Sequence, residues 1–187
     1  MILQGETQKR YETYGYVLDF RQNSVSKILK NKGGTVVEAL GGEFFMILEL
    51  LANPNTTFGI QEKVYISKEK RNKIASVLGR MKYSDLSSVA KNELPAAVEK
   101  SVMDNEARFV AFFNQSQPIT PRLNALELIP GIGKTLMRQM LEEREKRPFT
   151  SFEDIQKRIG LKDPGRRVAE RVLSEIISEQ QVYLFVR

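Results

Sequence analysis

The sequence predicts an α+β chain: a small antiparallel β domain, barrel-like in its strand count, followed by an all-α domain. Three observations carry that prediction. Short runs rich in aromatic and β-branched residues crowd the first 66 positions. From Ser67 onward apolar residues recur at helical spacing instead. The net charge of +6 is unevenly placed: residues 1–67 carry 7 basic and 7 acidic side chains, residues 68–114 carry 9 and 6, and residues 115–187 carry 13 and 10. The expected divisions are therefore a β domain over 1–67, a helical connecting segment over 68–114 and a helical domain over 115–187.

The elements follow in order. Tyr14 to Phe20 (YGYVLDF) reads as a strand, and Ser24 to Asn31 as a short helix or an irregular loop. Thr35–Leu40 and Glu43–Leu51 flank Gly41-Gly42 and predict a hairpin, since primed turns need positive φ. Asn53-Pro54-Asn55 marks a turn, and Gly59–Ile66 predicts a further strand. Four or five such strands close into a barrel or a sandwich-like sheet. Ser67 can then cap a helix over Lys68–Met81 with Ile74, Val77, Leu78 and Met81 on one stripe. Asp85–Asn92 reads as a helical turn, and Pro95 suits the first turn of a helix to about Asp104. Glu106–Asn114 brings Phe109, Val110, Phe112 and Phe113, which cluster without interleaved cations and so read as core. Gln115–Pro118 is a linker. Thr120-Pro121 caps and opens another helix, Lys134–Arg147 forms the next with Met137, Met140 and Leu141 inward, and the terminal VYLFVR is strand-like.

Composition removes whole classes of chemistry. The chain has no His, Cys or Trp. Without His there is no His general base, and without Cys no thiolate, disulfide, Fe–S cluster or Cys-type zinc site. No residues are expected to be catalytic, to ligate metal or to hold a cofactor. A transmembrane run of 18 apolar residues is lacking, and the N-terminus lacks the order of a signal peptide. The expectation is a cytoplasmic, non-enzymatic protein that needs no membrane. Its Lys- and Glu-rich composition would suit a thermophile.

Clustered positive charge is the footprint of a polyanion partner. The densest run is Lys68, Lys70 and Arg71, and its bland alternative is a solvated helix face. The sharper signal begins at Leu123: LNALELIPGIGKTLMRQMLEERE. Gly131 and Gly133 let the backbone turn tightly and approach a phosphate without a Cβ in the way. Ile132 between them plugs the turn into the core. The helix start that follows offers unpaired N–H groups to a phosphate oxygen, and Lys134, Thr135 and Arg138 add charge and a hydroxyl. This stretch resembles the helix-hairpin-helix motif of non-sequence-specific nucleic-acid-binding proteins through Leu126, Ile129, Pro130, Gly131, Ile132, Gly133 and Lys134. Met137 departs from that motif, which commonly has Ala there. The following segment resembles a tandem hairpin: Ser151 and Asp154 make a capping-box variant. Gly160 begins a degenerate second turn, and Asp163-Pro164 opens a helix bearing Arg166, Arg167 and Arg171.

As a whole the chain resembles an archaeal family that joins an OB-like β domain to a helix-hairpin-helix domain. The resemblance implies nucleotide or RNA binding, RNA ahead of DNA, with a link to translation and translation-related protein partners. If the β domain binds single strands, Tyr14, Tyr16 and Phe44 are the stacking candidates. The alternative is a protein-interaction module that docks through the hairpin domain. Gly133-Lys134-Thr135 imitates the end of a P-loop, but Leu128 stands where that loop needs glycine. Asp154 suggests the acid of a hairpin-type glycosylase, yet it sits at a cap. Glu142, Glu143 and Glu145 point different ways on one helix and do not converge as a metal-dependent nuclease would need.

Overall fold

The structure, a computed structural model, describes residues 11–186. It is a mixed α+β protein, and the chain divides into two compact units between Ala90 and Lys91.

The first unit is a five-stranded antiparallel sheet in the order β4-β1-β2-β3-β5, built from β1 (Tyr14–Val25), β2 (Gly33–Gly41), β3 (Ile47–Ala52), β4 (Lys63–Tyr65) and β5 (Ile74–Arg80). Val17, Val37, Leu48, Leu50, Val64 and Ile74 come from all five strands and meet in one core, so the sheet curls around it. The sheet is a half-barrel with β4 and β5 as its edges. Lys73 Nζ spans from the foot of β5 to Glu62 (2.5 Å) and to the Thr57 carbonyl (2.9 Å). Tyr16, Val17 and Leu18 are consecutive and all buried, as are Val36 to Gly41, because the central strands are covered on both faces.

The second face carries polar groups that alternation alone does not announce. Asp19, Glu38 and Glu49 sit at matching register on β1, β2 and β3. Glu38 takes Lys27 Nζ at 2.8 Å, Arg21 at 3.2 Å and the Ser87 N–H at 2.9 Å. Glu49 accepts from Ser26 Oγ and from the N–H groups of Lys27 and Ile28. Asp19 accepts from Ser87 Oγ at 2.6 Å. Buried carboxylates must be paired to be tolerated, and here the pairing pins the 26–28 segment and Ser87 across the sheet.

Several expectations change. Lys68–Met81 is not a helix: Lys70 and Arg71 donate to the Ser67 carbonyl in a turn, and β5 follows, pairing with β3. Ile74 and Leu78 are four apart and share a face under either period, and two register shifts in the β3–β5 ladder break the alternation that would have marked a strand. The helical connecting segment therefore does not begin at 68; β5 completes the first unit. The Gly41-Gly42 hairpin forms, but through a longer loop whose left-handed residue is Phe45 (φ 57°). Gly41 and Gly42 are needed for close approach instead, since a Cβ on either would strike Glu12 or Tyr14. The buried Glu12 carboxylate accepts from the N–H groups of Glu43 (2.8 Å), Phe44 (3.0 Å) and Met46 (3.0 Å). Burial still pushes its pKa up, more than those bonds lower it.

The second unit holds most of α1 (Ser88–Asp104), then α2 (Glu106–Gln115), a two-stranded ribbon of β6 (Pro118–Thr120) and β7 (Leu123–Asn124), a 3-10 turn over Ala125–Leu128, α3 (Lys134–Lys146), α4 (Phe152–Ile159) and α5 (Pro164–Ile177). Ser87 Oγ caps α1 ahead of the expected start, accepting from the Ala90 N–H (3.0 Å), which leaves Pro95 inside the helix. Pro121 does not open a helix. It sits in the tight β6–β7 connection, where its fixed φ suits a turn. The effective cap is Asn124, whose side chain accepts from Leu126 while Glu127 accepts from the Asn124 N–H. Ser151 caps α4 as expected, and Phe109 and Phe113 are fully buried. The terminal segment through Val186 is not a strand, and Arg187 lies outside the described residues. The Glu175 carboxylate holds it by accepting from the N–H groups of Leu184, Phe185 and Val186 at 2.8–2.9 Å. The Phe185 ring lies edge-on to Phe109 and Phe112 at 5.4 and 5.0 Å.

Candidate nucleic-acid interface

The turn from Pro130 to Gly133 is fixed from below. Leu126, Ile129 and Ile132 are buried, and Ile132 donates its N–H to the Ile129 carbonyl at 3.1 Å. Gly131 takes φ 88°, which a side chain would strain, and Ile132 follows it into the core. Gly133 is extended and stands at the N-cap of α3 without a side-chain cap bond. The Met137 N–H makes the first intrahelical bond, to the Gly133 carbonyl at 2.9 Å. The N–H groups of Lys134, Thr135 and Leu136 therefore have no partner within the helix. A Cβ on Gly133 would meet nothing within 4 Å, so the space over these donors is open. Lys134, Thr135 and Arg138 are exposed around it, and none makes an ion pair or side-chain hydrogen bond among the described residues.

A second turn lies beside the first. Gly160, at φ 79°, ends α4, and Asp163 at φ 48° leads into Pro164 at the first position of α5. Contact between the turns runs through Leu161 and Arg167: a Cβ on Gly131 would sit 3.5 Å from Leu161 Cδ1 and 3.7 Å from Arg167 Nε. Arg167 is thus drawn to the first turn. Both guanidiniums face Glu170, Arg167 at 3.1 Å and Arg166 at 3.7 Å. Gly165 is packed rather than open, since a Cβ there would lie 2.7 Å from Met103 Sδ and 2.9 Å from the Phe152 ring. The cavity of about 400 Å³ near this helix start is lined by Glu99, Glu153 and Asp163 against Arg166 alone, a poor match for phosphate.

Lys68, Lys70 and Arg71 belong to the first unit, in the turn between β4 and β5. Lys68 and Lys70 are exposed and Arg71 is half-buried. They are a separate basic group and do not share an element with the Gly131–Gly133 turn.

The family model described as "Protein of unknown function (DUF655)" matches residues 11–187. The chain belongs to the DUF655 family. MJ0038, an uncharacterised protein of Methanocaldococcus jannaschii, is 39% identical over 181 residues, covering 96% of this chain and 82% of that protein. The crystal structure of Af1531 from Archaeoglobus fulgidus, also of the DUF655 family, matches with a TM-score of 0.82 at 36% identity, over 94% of this chain and 100% of that one.

The remaining cations of this DUF655 chain's α3 and α4 are committed elsewhere. Arg158 bonds Glu143 (3.3 Å), Asp154 (3.2 Å) and the carbonyls of Glu143 and Arg147, with its guanidinium 4.6 Å from the Phe149 ring centre. Arg147 reaches Asp154 at 3.0 Å, Lys146 reaches Glu143 at 2.7 Å and Lys157 reaches Glu153 at 2.6 Å. Partial desolvation pushes the Asp154 pKa up, but the Thr150 N–H, the Arg158 bond and the charges of Arg147 and Arg158 together hold it low. Asp154 is thereby a structural anchor between helix ends. The aromatic candidates divide: Tyr16 is fully buried, whereas Tyr14 and Phe44 are half-buried. Sequence reasoning passed over Lys63 and Tyr65 on β4. Their alternation with Val64 was the available signal, and the strand was read only as structural.

Among the described residues no group of three or more carboxylates could hold a metal ion, and no helix is long and apolar enough to cross a membrane.

Proposed function

We propose that the chain binds nucleic acid through its phosphate backbone at the Gly131–Thr135 turn, without reading base sequence. The observation that carries this reading is the open, uncapped start of α3 ringed by unpaired Lys134, Thr135 and Arg138. Helix starts of this kind favour anions, because unsatisfied N–H groups and the helix dipole act together. On this reading the turn is a helix-hairpin-helix, with the 3-10 turn over 125–128 in the place of its first helix, and the half-barrel is OB-like. Arg167 adds a peripheral contact once an incoming phosphate competes with Glu170. Resemblance supports RNA ahead of DNA, together with a translation-linked, cytoplasmic and non-enzymatic role. Contacts to phosphate position a chain and carry no sequence information.

The test is a salt titration of binding to a generic duplex and to a single strand. Affinity is expected to fall steeply and log-linearly with salt. No binding at about 50 mM salt, or binding indifferent to salt, contradicts the proposal. Indifference would instead favour docking of a protein on this domain.

A further inference from the structure

We infer that the first unit carries a second contact for nucleic acid, a stacking site for unpaired bases on the exposed side of the edge strand β4. It stands on residues of the half-barrel alone and does not rest on the Gly131–Thr135 turn. Tyr11, Tyr65 and Tyr183 are the exposed aromatic side chains among the described residues, and Tyr65 alone of them lies on a strand of the sheet. Tyr65 is 43% exposed on β4, directly opposite Tyr14 of β1 in an antiparallel pair, and Tyr11 precedes Tyr14 by three positions. Directly opposed residues share a face, so the two rings stand on the side away from Val64, which points into the core. Lys63, two positions before Tyr65 and thus on the same side, holds its Nζ 4.0 Å from the Tyr14 ring centre.

This is aromatic and cationic alternation on an edge strand, and it continues into a basic turn. Ile66 and Ser67 donate to the Thr13 carbonyl, which ties the start of the Lys68–Arg71 turn to the residue next to Tyr14. Lys63, Lys68 and Lys70 have no ion-pair partner among the described residues, in contrast to Lys73, which is bound to Glu62. An exposed ring flanked by cations without ion-pair partners fits one ligand chemistry: a polyanion with accessible flat faces. A duplex hides its base faces, whereas a single strand offers both bases and phosphates. The occupant is therefore a single-stranded nucleic acid, with a base on Tyr65 and phosphates on Lys63, Lys68 and Lys70.

The absence of Trp makes the test direct, because the emission of the full chain comes from its six Tyr. An unstructured oligouridylate should quench that emission. Tyr65→Leu should remove much of the quenching and weaken oligouridylate binding about 5- to 100-fold, while Tyr65→Phe stays near wild type. Thermal unfolding of each variant should be unchanged, since the ring is exposed. Tyr183→Leu should leave the fractional oligouridylate quench intact, since that exposed ring belongs to the second unit and to neither binding site. The inference is overturned if Tyr65→Leu binds and quenches as wild type does, if Tyr65→Phe loses as much as Leu, or if Tyr183→Leu removes as much of the quench as Tyr65→Leu.

Discussion

The two turns that start α3 and α5 are built from similar material and end in opposite uses. Each follows a buried apolar residue, each uses a glycine with positive φ, and each opens a helix of 13 or 14 residues. At the first, Gly133 faces open space and the adjacent cations are unpaired. At the second, Pro164 removes one N–H donor, Gly165 is pressed by Met103 and Phe152, and Arg166 and Arg167 face Glu170. What separates a helix start that can bind an anion from one that packs is what surrounds the donors, more than the presence of a Gly-rich turn.

The comparison can be broken at the packed turn first. Gly165→Ala must move Met103 or the Phe152 ring, and it should cost about 1–3 kcal/mol in denaturant unfolding while leaving the α3 start untouched. A neutral Gly165→Ala would show that the second turn is as loose as the first. Gly133→Ser should do the reverse. A hydroxyl at the N-cap accepts from the start of α3 and stabilises by a few tenths of a kcal/mol. The same hydroxyl occupies the donors, so nucleic-acid binding weakens as stability rises, and calorimetry beside a binding titration reads both. Smaller still is the expected contrast between cations. Arg166→Ala should change binding by less than about twofold, because an exposed arginine already facing a carboxylate contributes little. Equal losses for Arg166→Ala and Lys134→Ala would erase the distinction drawn between the turns.

Acid offers a comparison between the units rather than the turns. Glu12 in the half-barrel has a raised pKa through burial, so the folded state binds its proton more tightly than the unfolded chain does. The first unit should gain stability as pH falls into the window between that raised value and the ordinary one. In the second unit the Lys146 bond and Arg158 hold Glu143 low, against some desolvation, and Arg147 and Arg158 do so for Asp154. That unit should keep its stability until pH drops below the ordinary carboxylate range, then lose it as those groups protonate. Amide exchange followed against pH, with β-strand and helix amides read separately, checks the opposite signs.

Much of the second unit was legible because its boundaries are written in turn chemistry. Gly133, Ser151, Gly160 and Pro164 mark α3, α4 and α5 where they occur, and the Pro-Gly-Ile-Gly run located the candidate turn itself. The openness of that turn was not legible, since it depends on which cations find carboxylates at three or four residues' distance and across helices. β5 was misread because spacing four apart serves a helix and a strand equally, and only pairing with β3 decides. The Asp19–Glu38–Glu49 row was invisible for a related reason: each acid looks like a solvated strand position until the 26–28 segment and Ser87 fold over it. The terminal segment owes its path to Glu175 and Phe185, a local anchor that carries no periodicity.

The most direct test of the central claim is the salt dependence of duplex binding by the wild-type chain and by Lys134→Glu. Loss of a phosphate contact at the α3 start should weaken binding about tenfold near 50 mM salt and make the log–log slope shallower by about 1. Identical slopes and affinities for the two chains would remove the Gly131–Thr135 turn from the interface.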